Sequence, residues 1–293
     1  MKPSRSHYLT LRGRRSHVRC WGAEQAPLLV LLHGWGDVSA SWQFVVDHLQ
    51  RDWRVMALDW RGFGLSQGNG DSYWFPDYLA DLDALLEQIS PHQPVNLVAH
   101  SLGGNVACMY AGIRPERVAK IVNLEGTGLQ RHHSDEAPAR YGKWLSQLRD
   151  EAPTFRVYAD RRAFASRLQE ENPRLTDERA EFLALHLGEE CIGDDGQAGI
   201  RLAADAPHRW VNPTLYRIEE AMACWRRITA PVLWVTGRDS FLFRRFFAMD
   251  SEDYRSRIAC LHDVREMMVD ECGHNLHHDQ PGEVARLIEE FLP

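Results

Sequence analysis

The stretch Val95-Asn96-Leu97-Val98-Ala99-His100-Ser101-Leu102-Gly103-Gly104 decides the fold. Val95 to Val98 is a short β-prone apolar run, the kind that forms a strand buried on both faces of a parallel sheet. Leu102 to Gly112 reads as a helix, with small or apolar side chains at Leu102, Val106, Ala107 and Tyr110. A strand that passes straight into a helix leaves Ser101 on a strained turn, where bulky residues two positions away would collide. Ala99 and Gly103 meet that demand. The turn lifts the hydroxyl over a helix N-terminus, whose free N–H groups favour developing negative charge. A serine so placed is a candidate nucleophile.

The pattern on either side is strand, loop, helix, repeated. Tyr8 to Leu11 and His17 to Trp21 predict two short strands around a turn at Gly13. Leu28 to His33 is an apolar strand running into His33-Gly34-Trp35-Gly36, and Trp53 to Asp59 is another. Asp77 to Ile89 carries apolar residues at helical spacing with acids in its first turn. Val118 to Leu124, Val232 to Thr236 and Val264 to Val269 are further strands, and Glu283 to Leu292 closes the chain as an amphipathic helix. Strands alternating with helices imply βαβ units and a largely parallel sheet with helices on both faces. Functional residues then gather at the carboxyl ends of the strands.

The alternation breaks after Glu125. About 105 residues separate it from Pro231, against the ~30 of a whole βαβ unit. The excess reads as an inserted helical lid over residues 127–229, with residues 1–126 and 230–293 forming the core. Its helical stretches are Tyr141 to Leu148, Arg161 to Gln169, Asp177 to Leu187 and Leu215 to Arg227, with Gly188 to Gly199 as a loop. Asp194 and Asp195 in that loop lack the alternation and terminal glutamate of a calcium loop, so they read as a solvated turn.

Bulk properties exclude several classes. A formal net charge of −7 across 293 residues gives no general attraction to phosphate backbones, so no nucleic-acid partner is expected. No apolar run approaches the ~18 residues of a transmembrane helix, so no membrane insertion is expected. The opening residues Met1 to His7 show no secretory signal, and the six cysteines are scattered without Cys-x-x-Cys spacing. Both point to a reduced, cytoplasmic protein. The oligomeric state is left open.

The turn at Ser101 resembles the nucleophile elbow of the α/β-hydrolase family, Gly-x-Ser-x-Gly, with Ala99 in place of the first glycine. A serine nucleophile needs a base, and the base needs a third group to fix its tautomer. Ser101, Asp239 and His274 each follow a predicted strand, in the order that the resemblance implies for a Ser-Asp-His triad. The family's histidine directly after the last strand selects His274 over His277 and His278. Asp239 is the favoured acid. Glu125, which also ends a strand, is the alternative, because some family members carry the acid there.

The resemblance further implies an oxyanion hole made by the backbone N–H groups of Trp35, in the family's oxyanion loop, and Leu102, at the helix start. A metal reading of His274, His277, His278 and Asp279 lacks a second half-site. No metal and no cofactor are therefore expected.

Ser101 excludes relatives that attack with a carboxylate. The expected activity is hydrolysis of a small or medium carboxylic ester, thioester or lactone through an acyl-enzyme, with a small molecule as the partner. Two alternatives stand beside it: hydrolysis of a carbon–carbon bond by the same residues, and a hydrolase-fold ligand-binding protein with slow or no turnover.

Overall fold

The computed structural model describes residues 1–150, 153–193, 196–245 and 251–292; Asp194 and Asp195 lie outside them. Its strands are β1 (Ser4–Leu11), β2 (Arg14–Trp21), β3 (Leu28–Leu32), β4 (Arg54–Leu58), β5 (Val95–His100), β6 (Val118–Leu124), β7 (Gly188–Ile192), β8 (Ala198–Leu202), β9 (Val232–Gly237) and β10 (Val264–Val269). The helices are α1 (Gln43–His48), α2 (Phe75–Ile89), α3 (Leu102–Ile113), α4 (Ala137–Gln147), α5 (Arg161–Glu171), α6 (Asp177–Leu187), α7 (Ile218–Trp225), α8 (Phe241–Arg245), α9 (Glu252–Ile258), α10 (Leu276–Asp279) and α11 (Pro281–Phe291).

Eight strands form one sheet in the order β1-β2-β4-β3-β5-β6-β9-β10. The β1–β2 and β2–β4 pairs are antiparallel and every other pair is parallel. The central strands are apolar on both faces because both are covered. In β3, Leu29 and Leu31 pack with α1 and α11, while Val30 and Leu32 pack on the opposite side with α2 and α3. Each fully buried leucine contributes about 1.5–3 kcal/mol relative to exposure, so the two apolar layers fix the register of the sheet. The carboxyl ends of β5 and β6 consequently meet near the middle of one sheet edge.

The inserted segment runs from β6 to β9. Its α5 and α6 pack on the core through a third apolar cluster, in which Phe164, Leu183 and Leu187 meet Val38 and Phe44. Two features differ from the expectation. Gly188 to Gly199, read as a loop, contains most of an antiparallel hairpin, β7 paired with β8. Its side chains are mostly half-exposed or exposed, so no apolar alternation marks it in the sequence. And α7, assigned to the lid, is packed on α3: a Cβ on Gly112 would lie 1.9 Å from the Cys224 carbonyl oxygen. Ile218, Met222 and Trp225 therefore belong to the same apolar cluster as α2 and α3.

Candidate active site

Ser101 sits between β5 and α3 with φ +50° and ψ −112°. A non-glycine residue at positive φ is strained and persists only where its surroundings over-determine it. Here the Ser101 N–H donates to the Leu124 carbonyl at 2.8 Å, and its own carbonyl accepts from Asn105 N–H at 2.9 Å. Gly103 is required: a Cβ there would stand 2.4 Å from the Leu32 carbonyl oxygen. Ala99 is fully buried, and its methyl is tolerated.

His274, in the loop after β10, faces this hydroxyl. Its Nε2 lies 3.0 Å from Ser101 Oγ, and its Nδ1 lies 3.1 Å from Glu125 Oε2. The carboxylate accepts from Nδ1–H, which leaves the Nε2 lone pair facing the serine, the tautomer that a general base needs. Phe241 closes one side of the imidazole edge-on, with ring centroids 4.8 Å apart.

Glu125 follows β6 directly, at φ +61°. Its N–H donates to Val235 O at 3.0 Å, and the Asn123 side chain clamps the turn by bonding both the N–H and the carbonyl of Gly126. Gly126 abuts Gly104 of α3, where a Cβ on Gly126 would lie 2.6 Å from the Gly104 Cα. That glycine contact brings the carboxylate to the elbow. Glu125 is 2 % exposed and accepts from Gly237 N–H on Oε1 at 2.7 Å and from Ser240 Oγ on Oε2 at 2.5 Å. Burial pushes its carboxyl up, and the Ser240 and Gly237 donors pull it back. Burial also pushes the His274 imidazole down, to about 4, so it is neutral near pH 7.

Asp239, the favoured acid, is not on His274. Its Oδ2 is paired with Arg174 Nη2 at 2.7 Å, and its side chain is 37 % exposed. The turn after β9 directs the next residue, Ser240, inward, and that serine binds Glu125. Three residues are thus brought together, Ser101, His274 and Glu125, while Asp239 faces the α5–α6 connection.

Of the two expected oxyanion donors, Leu102 follows Ser101 directly at the start of α3, and Trp35 lines the cavity that contains Ser101. Leu102 N–H is the first amide of α3 and has no intrahelical acceptor. The Trp35 turn is held by His33, whose Nε2 accepts from Trp60 N–H at 2.9 Å and whose Nδ1–H donates to Gly34 O at 2.7 Å. A planar trans peptide with its carbonyl pinned has its N–H aimed the opposite way, so His33 sets the direction of the Trp35 amide. The exposed Trp35 ring borders two cavities. One, of about 450 Å³, contains Ser101 and His274 and is walled by Phe164, Leu175 and Leu183 of the inserted segment. The other, of about 540 Å³, is more apolar and runs from Leu102 past Trp74, Phe75, Met109 and Tyr216.

The sequence pattern of the alpha/beta hydrolase fold family matches residues 27–281. This chain belongs to that family. The "Serine hydrolase-like protein" of Danio rerio is 28% identical over 288 residues, covering 93% of this chain and 83% of that protein. The "Putative 2-succinyl-6-hydroxy-2,4-cyclohexadiene-1-carboxylate synthase" of Bacillus subtilis (strain 168) is 28% identical over 287 residues, covering 96% and 95%. Among solved structures, the "Thioesterase Domain From Curacin Biosynthetic Pathway" superposes with a TM-score of 0.84 at 24% identity, covering 98% of this chain and 99% of that one. The last similarity shows the fold.

Within this hydrolase-family chain, three groups at the site escaped the sequence reading. Ser240 and the Gly237 amide carry no motif of their own, since a serine and a glycine after a strand are ordinary turn residues. His33 had a visible signal, an imidazole ending an apolar strand, whose burial becomes explicable once both ring nitrogens are bonded.

Proposed function

We propose that this chain is a serine hydrolase that cleaves a carboxylic ester or thioester through an acyl-enzyme on Ser101. The observation that carries the reading is His274 bridging Ser101 Oγ and Glu125 Oε2. The name of the Danio rerio relative, a serine hydrolase-like protein, favours the same reaction type.

In the first half-reaction Ser101 Oγ bonds to the acyl carbon while its proton passes to His274 Nε2. The negative charge on the former carbonyl oxygen is met by the amides of Leu102 and Trp35, each such donor contributing about 2.7–4 kcal/mol to the transition state. Glu125 stabilises the imidazolium and keeps its ring oriented. Collapse expels the alcohol or thiol, which takes the proton from His274. Water then repeats the sequence, with His274 as base, and releases the acid and free Ser101. The two cavities on either side of Trp35 would hold the acyl and leaving-group portions, and α5 and α6 would act as a lid over the first.

The test is labelling with a fluorophosphonate probe, with the modified residue mapped by mass spectrometry. Stoichiometric labelling at Ser101, absent in Ser101→Ala, is expected. A folded protein that does not label overturns the proposal in favour of a ligand-binding role.

A further inference from the structure

Behind the His274 ring lies a cluster of buried imidazoles that the proposed hydrolysis does not use. His100, the last residue of β5, is 3 % exposed, and its Nε2–H donates to the His274 backbone carbonyl at 2.9 Å. His277 is fully buried, with Nε2 2.9 Å from Asp37 Oδ2. The Nε2 of the adjacent His278 stands 3.7 Å from the same oxygen. The rings of His100 and His277 have centroids 4.5 Å apart, and those of His277 and His278 4.0 Å apart.

With Nε2 acting as donor in His100 and His277, the Nδ1 of each is a bare lone pair. Among the described residues no protein group bonds to either Nδ1, nor to His278 Nε2. A buried polar atom left without a partner costs about 1–3 kcal/mol, so three in one cluster call for a buried water, a ligand or an ion. Burial holds all three imidazoles below their usual range, and the neutral ring is the form that ligates metal.

Asp37 completes the set. Its carboxylate is fixed by Val38 N–H on Oδ1 at 2.8 Å and by Ser41 Oγ on Oδ2 at 2.9 Å. One ligating atom each from Asp37, His100 and His277 lie within 4.8 Å of one another. Ligand atoms around a tetrahedral ion at about 2.0–2.1 Å sit roughly 3.4 Å apart, so small side-chain rotations would close the site. Imidazole with a single carboxylate suits zinc, cobalt, nickel or copper, whereas magnesium and calcium prefer all-oxygen cages.

We propose that Asp37, His100 and His277 bind a divalent transition-metal ion, and that its occupation slows acyl transfer at Ser101. The coupling, which rests on the serine-hydrolase reading, is mechanical. His100 holds the His274 carbonyl through Nε2, and its Nδ1 abuts Gly34, where a Cβ would lie only 2.8 Å away. An ion that draws His100 toward Asp37 therefore disturbs both the backbone of the base and the turn that presents the Trp35 amide. Asp37 and His100 line the cavity that contains Ser101, which gives the ion its route in.

The experiment titrates metal-stripped full-length protein with Co²⁺, followed by its visible absorption, and then with competing Zn²⁺. One equivalent is expected to bind, to be displaced by Zn²⁺, and to bind at least tenfold more weakly in Asp37→Asn and His277→Gln but not in His7→Gln. Saturating Zn²⁺ should slow fluorophosphonate labelling of Ser101 at least fivefold, reversibly with a chelator. No uptake by the unsubstituted protein, or uptake indifferent to both substitutions, overturns the site. Uptake with unchanged labelling of a reactive Ser101 overturns the coupling alone, and a Ser101 that never labels overturns the hydrolase reading while the titration still decides the site. Should the substitutions prevent folding, anomalous scattering from Co²⁺-soaked crystals decides: a peak between Asp37, His100 and His277 sustains the site, and its absence there overturns it.

Discussion

Ser240 Oγ donates to Glu125 Oε2 at 2.5 Å, the same oxygen that faces His274 Nδ1 at 3.1 Å. The turn after β9, where the acid was expected, thus hydrogen-bonds the carboxylate that follows β6, while its own Asp239 pairs with Arg174. Two carboxylates at the ends of neighbouring strands have different environments, and substitution separates them.

Glu125→Gln should lower kcat by about 10³- to 10⁴-fold, because an amide no longer stabilises the imidazolium or the correct tautomer. Asp239→Asn should change kcat less than threefold, since its partner is the half-exposed Arg174 and an exposed pair contributes about 0–1 kcal/mol. Steady-state kinetics on an activated ester measures both. The reverse ranking would assign the acid to Asp239.

The Ser240 hydroxyl favours the ionised form of Glu125 by hydrogen bonding to it. Its removal makes the carboxylate more basic and holds a proton more tightly on the Glu125–His274 pair. Ser240→Ala should therefore move the acid limb of the kcat/KM profile to higher pH, by about one to two units, because a hydrogen bond to a charged group contributes about 1.5–3 kcal/mol and one unit is 1.36 kcal/mol. An unshifted limb with reduced kcat would give Ser240 a purely steric role.

The elbow was legible because its demands are local: small residues at 99 and 103 around a serine that ends an apolar run. The strands on either side were legible because the sheet is covered on both faces, which makes β3 a continuous apolar run and β5, β6 and β9 predominantly apolar ones. The acid was not. Which of Asp239 and Ser240 turns inward depends on a backbone turn after the strand, where the alternation of side chains no longer holds. The β7–β8 hairpin was hidden because it has no apolar face. Asp37 and His277 pair across 240 positions, so a search for locally spaced metal ligands around His274 could not join them.

The buried imidazoles predict acid lability. Burial brings His274 and His208 to about 4 and His100 to about 3, against about 6.5 in the unfolded chain. The unfolded state binds more protons below that value, so the stability these groups allow is whole above pH 6.5 and is lost as pH falls toward 4, by up to about 1.4 kcal/mol per unit for each residue. Glu125, pushed up by burial, has the opposite sign but is one group against three. Urea unfolding at pH 7.5, 6 and 5 should show a falling midpoint. A midpoint that is flat or rising toward pH 5 would contradict this.

His33 offers a separation of positioning from stability. It is fully buried and spends both ring nitrogens, one on Trp60 N–H and one on Gly34 O. His33→Phe keeps a ring in the space and removes both bonds. Leaving Trp60 N–H unsatisfied should cost about 1–3 kcal/mol of unfolding free energy. Freeing the Gly34 carbonyl lets the Gly34–Trp35 peptide rotate, which mis-aims one of two oxyanion donors without touching the cavities that hold the substrate. Loss of a whole donor costs about 10²- to 10³-fold in kcat, so a mis-aimed one should cost about 10- to 100-fold, with KM changed less than threefold. A variant that melts earlier but keeps its kcat at a temperature where it is fully folded would show that His33 serves the fold alone and that the Trp35 amide is aimed by other means.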